Sequence, residues 1–141
     1  MKPLWAIGDI HGCSEMLVAL IHRTREIMND GHYVFLGDYV GRGPSPRKTI
    51  ANLINMVDLG YATALSGNHD RMLVEIYDTV VSNSDLSCIY KGWSLLFGKD
   101  IIKDYGSYNN IPQCHIDFLR KLKDHHATRG FCFHHDGFLG R

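Results

Sequence analysis

Three short runs in this chain of 141 residues join glycine to side chains that bind metal ions and phosphate. They read Gly8-Asp9-Ile10-His11-Gly12, Gly37-Asp38-Tyr39-Val40-Gly41-Arg42-Gly43 and Gly67-Asn68-His69-Asp70, and a fourth cluster, His134-His135, follows much later. Asp9 and His11 are two residues apart, so both can turn toward one ion, and the flanking glycines let the backbone bend and approach closely. Mixed oxygen and nitrogen donors suit borderline divalent ions such as Mn, Fe or Zn better than Mg or Ca. Asp38 is the natural bridge, because a carboxylate has two oxygens and can serve two ions. Two ions about 3.5–4 Å apart clamp a phosphate oxygen and turn water into hydroxide for in-line attack on phosphorus. Arg42 offers a planar fork of donors for phosphate oxygens. His69, directly after Asn68, could protonate the leaving oxygen.

Each feature has an ordinary explanation when taken alone. Gly-Asp is common turn chemistry, Asn68 would be a turn residue, and Arg42 a solvated charge. His22, His32, His115, His125 and His126 are read as surface or satisfied core residues. The joint occurrence of the three runs, in this order, points to a site.

The elements that must position these runs repeat a pattern. Leu4–Gly8, Tyr33–Leu36 and Tyr61–Leu65 are short apolar or β-branched runs that empty into the three clusters, and they read as strands. Between and after them, three segments carry apolar residues at helical spacing. The first has Met16, Leu17, Leu20, Ile21, Thr24 and Ile27, with Ser14 as its cap. The second has Ile50, Leu53, Ile54 and Val57, and the third Met72, Leu73 and Ile76. Strand, loop and helix repeated three times predict an α/β fold with βαβ crossovers and a parallel sheet. In such sheets ligands gather at the carboxyl ends of the strands, where the clusters should converge. Residues 82–112 break the rhythm and read as a helical insertion with loops. Ile116, Leu119 and Leu122 suit another helix, and Gly130–Phe133 a strand running into His134-His135.

Composition narrows the classes. Lys+Arg 15 balances Asp+Glu 15, so no broad basic face is expected and nucleic acid is not implied as a partner. No segment approaches the ~20 apolar residues of a membrane span. The four cysteines form no CxxC pair, and the start shows no export pattern, so reduced thiols in the cytoplasm are expected.

The three runs resemble the GDxHG, GDxxDRG and GNHE/D blocks of the calcineurin-like metallophosphoesterase superfamily, in its bacterial Ser/Thr phosphoprotein phosphatase branch. The resemblance continues through Trp93 to Tyr105-Gly106, and from Phe118-Leu119-Arg120-Lys121-Leu122 to Phe131-Cys132-Phe133-His134-His135-Asp136-Gly137. It implies one domain over 1–141, the first part of an α/β/β/α sandwich whose second sheet is incomplete. It further implies that Asp9, His11 and Asp38 bind one metal, and that Asp38, Asn68 and His135 bind a second. Arg42, Asn68 and His69 would contact phosphate, with His69 as general acid. The expected activity is hydrolysis of phosphomonoesters, with a phosphorylated protein or small phosphoester as substrate and two divalent ions, Mn with Fe or Zn as alternatives. Symmetrical dinucleoside tetraphosphate hydrolysis is the alternative activity, and a catalytically impaired metal- and phosphate-binding fragment the alternative from another class.

Two departures from the family pattern stand out. Gly41 occupies the place of the second Asp of GDxxDRG, so His69 is expected to lack a charged partner, with a looser orientation and a lower pKa. The later GH block and final His have no counterpart, and Gly137-Phe-Leu-Gly-Arg141 resembles the middle of a family loop, so C-terminal truncation is expected.

Overall fold

The computed structural model of the chain describes residues 3–85, 88–128 and 130–136. The elements run β1 (Leu4–Ile7), α1 (Ser14–Ile27), β2 (His32–Phe35), α2 (Pro46–Asp58), β3 (Ala62–Ala64), α3 (Asn68–Val81) and α4 (Cys88–Tyr105). A 3-10 turn at Tyr108–Asn110, α5 (Gln113–Arg120), β4 (His125–Thr128) and β5 (Phe131–His134) follow. The closing segment Gly137–Arg141, likened above to a family loop, lies outside the described residues.

β1, β2 and β3 form a parallel sheet in that order. β2 is the central strand, and its aromatic and β-branched residues Tyr33, Val34 and Phe35 are buried. The register places Ile7 opposite Phe35 and Phe35 opposite Ala64. All three strands therefore end in one row, and the residues two to four positions beyond each row member share one edge of the sheet. That register brings Asp9, Asp38 and Asn68 together. Tyr39 reinforces it from the loop, its hydroxyl donating to Leu65 O at 2.6 Å and Phe35 O at 3.2 Å.

The helices follow from amphipathic spacing and local caps. α2 opens on Pro46 at its first turn, where the missing N–H costs nothing, and buries Thr49, Ile50, Leu53 and Met56 on one stripe. α3 buries Leu73, Ile76 and Tyr77 and packs against α4 and α5. Within 82–112, α4 lies against α2 and α3 and gives Trp93, Ile101 and Tyr105 to the common core.

Two expectations are corrected. Ser14 does not cap α1: the N-cap position is Cys13, and Ser14 is a buried helical residue whose Oγ accepts from Asn52 Nδ2 at 3.1 Å, tying α1 to α2. The helical stripe on α1 is only partly covered, because Leu17 and Thr24 are buried while Met16, Leu20 and Ile27 are exposed. β1 is an edge strand of the three-stranded sheet, and among the described residues no strand extends the sheet beyond it.

The strand before His135 does not join the parallel sheet. Phe131–His134 pairs antiparallel with His125–Thr128, a strand the sequence did not disclose because His-His-Ala-Thr carries no apolar alternation. This pair begins where the chain crosses the free side of β3. Lys123 bridges Leu65 in parallel, and Ser66 N donates to Lys123 O at 2.8 Å. Arg71 of α3 reaches both Asp124 and Asp136, which flank the same open end of this antiparallel pair, an exposed link of small energetic weight.

Candidate metal centre

Three of the four non-glycine residues with positive φ among the described residues belong to the sequence clusters: His11 at 47°, Asp38 at 56° and Arg42 at 68°. A left-handed L-residue costs about 1–2 kcal/mol, so the surrounding bonds must hold these turns in place. The bonds are visible. Ile10 N and His11 N donate to Asp38 O, and Gly12 N donates to Tyr39 O at 2.7 Å. Asp70 then accepts three backbone N–H bonds, from Asp38 at 2.8 Å, Tyr39 at 2.9 Å and Gly67 at 3.0 Å. Its carboxyl is fully buried. Burial pushes it up to about 7, against the lowering effect of the three N–H donors. No local pattern points to this role of Asp70 beyond its place two residues after Asn68.

Glycine is required where two loops meet. Gly37 has φ +118°, and a Cβ there would lie 2.5 Å from Gly67 N. A Cβ on Gly67 would in turn overlap Asp38 N and Oδ1. The second and third clusters are thus packed backbone to backbone.

Two histidines present lone pairs to oxygen. His11 Nδ1 bonds Val40 O at 3.0 Å, which makes Nδ1 the protonated nitrogen. Its Nε2 is buried without a hydrogen-bond partner, 3.4 Å from Asp9 Oδ2 and 3.8 Å from Asp38 Oδ2. His135 repeats the arrangement. Nδ1 meets Leu36 O at 3.1 Å, and Nε2 faces Asn68 Oδ1 at 3.0 Å and Asp38 Oδ1 at 3.3 Å. A lone pair directed at acceptor oxygens is repulsive until a cation lies between them, so this donor set fits divalent metal. The two oxygens of Asp38 face different histidines. Two His/Asp groups with ligand atoms within 4.8 Å of one another share Asp38: His11, Asp38 and His69, and Asp9, Asp38 and His135.

His69 is 4% exposed at the start of α3, its backbone N donating to Asp38 Oδ1 at 3.0 Å. The ring packs edge-on to His11, Trp93 and Phe97, with centroids 4.8, 5.5 and 4.7 Å away. Burial lowers its pKa, with further lowering from His11 and Arg42 set against the pull of Asp38. No carboxylate hydrogen bond to its ring is found among the described residues; instead the uncharged Trp93 Nε1–H donates to His69 Nδ1 at 3.2 Å. Gly41 borders the same nitrogen, since a Cβ on it would stand 2.7 Å from Nδ1. Arg42 is exposed, its guanidinium 5.4 Å above the Phe97 ring.

Asp9, His11, Asp38, Asn68, His69, Arg42 and His135 therefore surround one small region at the ends of β1, β2 and β3. The residues that sequence reasoning missed are Asp70, Trp93 and Phe97. Trp93 and Phe97 are four apart, which on a helix puts them on one face, but nothing local pointed that face at His69.

The fold is α/β with a parallel sheet, and the donor set at its strand ends could hold divalent metal. Residues 2–139 match the calcineurin-like phosphoesterase family, and the chain belongs to it. Over 74 residues it is 33% identical to serine/threonine-protein phosphatase 1 of Salmonella typhimurium, covering 52% of this chain and 32% of that protein. Over 81 residues it is 32% identical to the symmetrical bis(5'-nucleosyl)-tetraphosphatase of Psychromonas ingrahamii, covering 57% of this chain and 29% of that protein. A solved metallophosphoesterase from Sphaerobacter thermophilus shares the fold, with TM-score 0.53 and 22% identity over 89% of this chain and 42% of the other. The chain thus spans less than half the length of each of these proteins. Among the described residues no helix is long and apolar enough to cross a membrane.

Proposed function

We propose that residues 1–141 act as one domain that hydrolyses phosphomonoesters, with a phosphorylated protein or a small phosphoester as substrate in the cytoplasm. The observation that carries this reading is the pair of histidine Nε2 atoms facing opposite oxygens of Asp38. Asp9, His11 and Asp38 would hold one divalent ion, and Asp38, Asn68 and His135 a second. Mn is the proposed ion, with Fe or Zn as alternatives. When bound, such ions polarise phosphoryl oxygens and lower the pKa of water toward neutrality.

The chain's own residues do the rest. Arg42 extends from an exposed turn and carries its charge to the phosphate oxygens. Stacking on Phe97 limits where the guanidinium can go. Asn68 Oδ1 faces His135, and its amide N–H group would meet the phosphate. His69 would direct its ring N–H toward the leaving oxygen. His69, Trp93 and Phe97 exclude water from one side of this group, since His69 and Trp93 are buried.

Symmetrical dinucleoside tetraphosphate hydrolysis is the second reading, supported by the likeness to the Psychromonas protein. Turnover of p-nitrophenyl phosphate in the presence of Mn tests the proposal. Activity above that of His69→Ala is expected, and a chain that binds Mn without such turnover would leave only a metal- and phosphate-binding role. A product assay with a phosphopeptide and with diadenosine tetraphosphate separates the two substrates.

A further inference from the structure

We propose that Trp93 is a positioning residue that fixes the tautomer of His69, holding the neutral ring with its proton on Nε2. An indole N–H can only donate, so the His69 Nδ1 that lies 3.2 Å from it must present a lone pair. The neutral imidazole then carries its one proton on the other nitrogen. Nothing else competes for Nδ1 in the described surroundings. Gly41 approaches it without a side chain.

The ring is also prevented from turning over. Phe97 and His11 press edge-on from two sides, and Trp93 is itself 5% exposed. Flipping the ring would set a carbon against the indole and leave a buried donor unpaired. α4 is held in place for this task. Asp104 accepts from Arg47 N at 2.8 Å, and Ser94 shares a hydrogen bond with Tyr108 at 2.8 Å. Phe97 follows Trp93 by one helical turn, so one face of α4 supplies both the donor and the packing.

This arrangement differs in kind from a carboxylate partner. A carboxylate would accept from Nδ1–H and hold the opposite tautomer. With an indole donor, His69 offers Nε2–H while still uncharged, as a hydrogen-bond donor to oxygen and not as an imidazolium acid. That catalytic consequence rests on the phosphoesterase reading; the tautomer does not.

The test uses the full chain, uniformly labelled with nitrogen-15 and free of paramagnetic metal, at pH 8. Long-range proton–nitrogen correlation should give His69 a pyridine-type Nδ1 and a pyrrole-type Nε2. A nitrogen–nitrogen scalar coupling across the hydrogen bond should connect Trp93 Nε1 to His69 Nδ1. A protonated Nδ1 in the wild-type protein, or no such coupling, overturns the proposal without any variant. In Trp93→Phe, with the other resonances retained, the His69 shifts should move toward the average of two tautomers. Unchanged shifts would overturn it. If the chain hydrolyses p-nitrophenyl phosphate, Trp93→Phe should lower kcat about 10–100-fold with KM and bound metal unchanged, the usual range for loss of a supporting partner. A fall in metal content with no change in kcat would count against it. Absence of turnover in the wild-type protein would sink the phosphoesterase reading while leaving the nitrogen spectra to decide the role of Trp93.

Discussion

Gly37→Ala perturbs the contact between the second and third clusters, and its cost can be worked from the structure. The backbone at Gly37 has φ +118°, and the added methyl would lie 2.5 Å from Gly67 N, 2.7 Å from Gly67 Cα and 2.9 Å from Ser66 C. The left-handed conformation alone costs an alanine about 1–2 kcal/mol. The obstructing atoms are backbone, so no rotamer change relieves them. Overpacking of this sort adds about 1–3 kcal/mol. Relief requires the two loops to separate, which stretches the 3.0 Å bond from His69 N to Asp38 Oδ1. A hydrogen bond to a charged group is worth about 1.5–3 kcal/mol. The expected loss is about 3.5–8 kcal/mol, a large part of the ~5–15 kcal/mol that stabilises a domain. Gly60→Ala is the control. Gly60 has φ +74° with nothing within 4 Å of an added Cβ, so it should lose only the conformational ~1–2 kcal/mol. Urea denaturation of the three proteins reads the stability difference, and calorimetric titration with Mn reads the site. Gly37→Ala should bind Mn at least about tenfold more weakly, ~1.4 kcal/mol, while Gly60→Ala matches the wild type. Equal losses in the two variants, or unchanged Mn affinity in Gly37→Ala, would refute the idea that loop contact sets the position of Asp38.

Metal should stabilise the fold: Mn at a hundred times its Kd adds about 2.7 kcal/mol per site, seen as a rise in Tm that chelation reverses and Asp38→Asn abolishes. Arg42→Ala should raise KM for a phosphomonoester about tenfold, ~1.4 kcal/mol, with a smaller effect on Mn binding, because its exposed guanidinium lies over Phe97 and outside the two ligand groups. His115 supplies a pH dependence remote from the site. Burial, then Arg47, lowers its pKa from 6.5 in the folded chain. The unfolded chain therefore takes up this proton first on acidification, so the contribution is complete above pH 6.5 and is lost as pH falls below it. Urea midpoints across that range should show the stability difference between wild type and His115→Phe shrinking as pH falls. A constant difference would show that His115 does not titrate differently on folding.

Much of this architecture was legible in the sequence because its signals are local. Apolar runs ending in Gly-Asp marked β1, β2 and the entry to α1, and helical spacing marked α2 and α3. The clusters could be assigned to one edge because parallel strands bring their ends together. β4 was not legible: His125-His126-Ala127-Thr128 has no alternation, and it is a strand only because Phe131–His134 lies beside it. Trp93 carried a resemblance but no role, since its contact with His69 spans 24 residues and depends on how α4 packs. Asp70 looked like an onlooker for a similar reason. Its three bonds go to backbone groups, which carry no signature in side-chain type. The exposure of Met16 on α1, at 72%, also lay beyond periodicity, which reports a stripe and not what covers it.

The bridging role proposed for Asp38 is the point on which the account stands, and electron paramagnetic resonance of a Mn titration addresses it directly. Two ions sharing one carboxylate, about 3.5–4 Å apart, are exchange-coupled. The isolated six-line Mn signal should therefore fall as the second equivalent binds, and Asp38→Asn should restore an uncoupled signal or lose the second ion. A wild-type protein that binds a single ion, or two that remain magnetically independent, would contradict a shared centre built on Asp38.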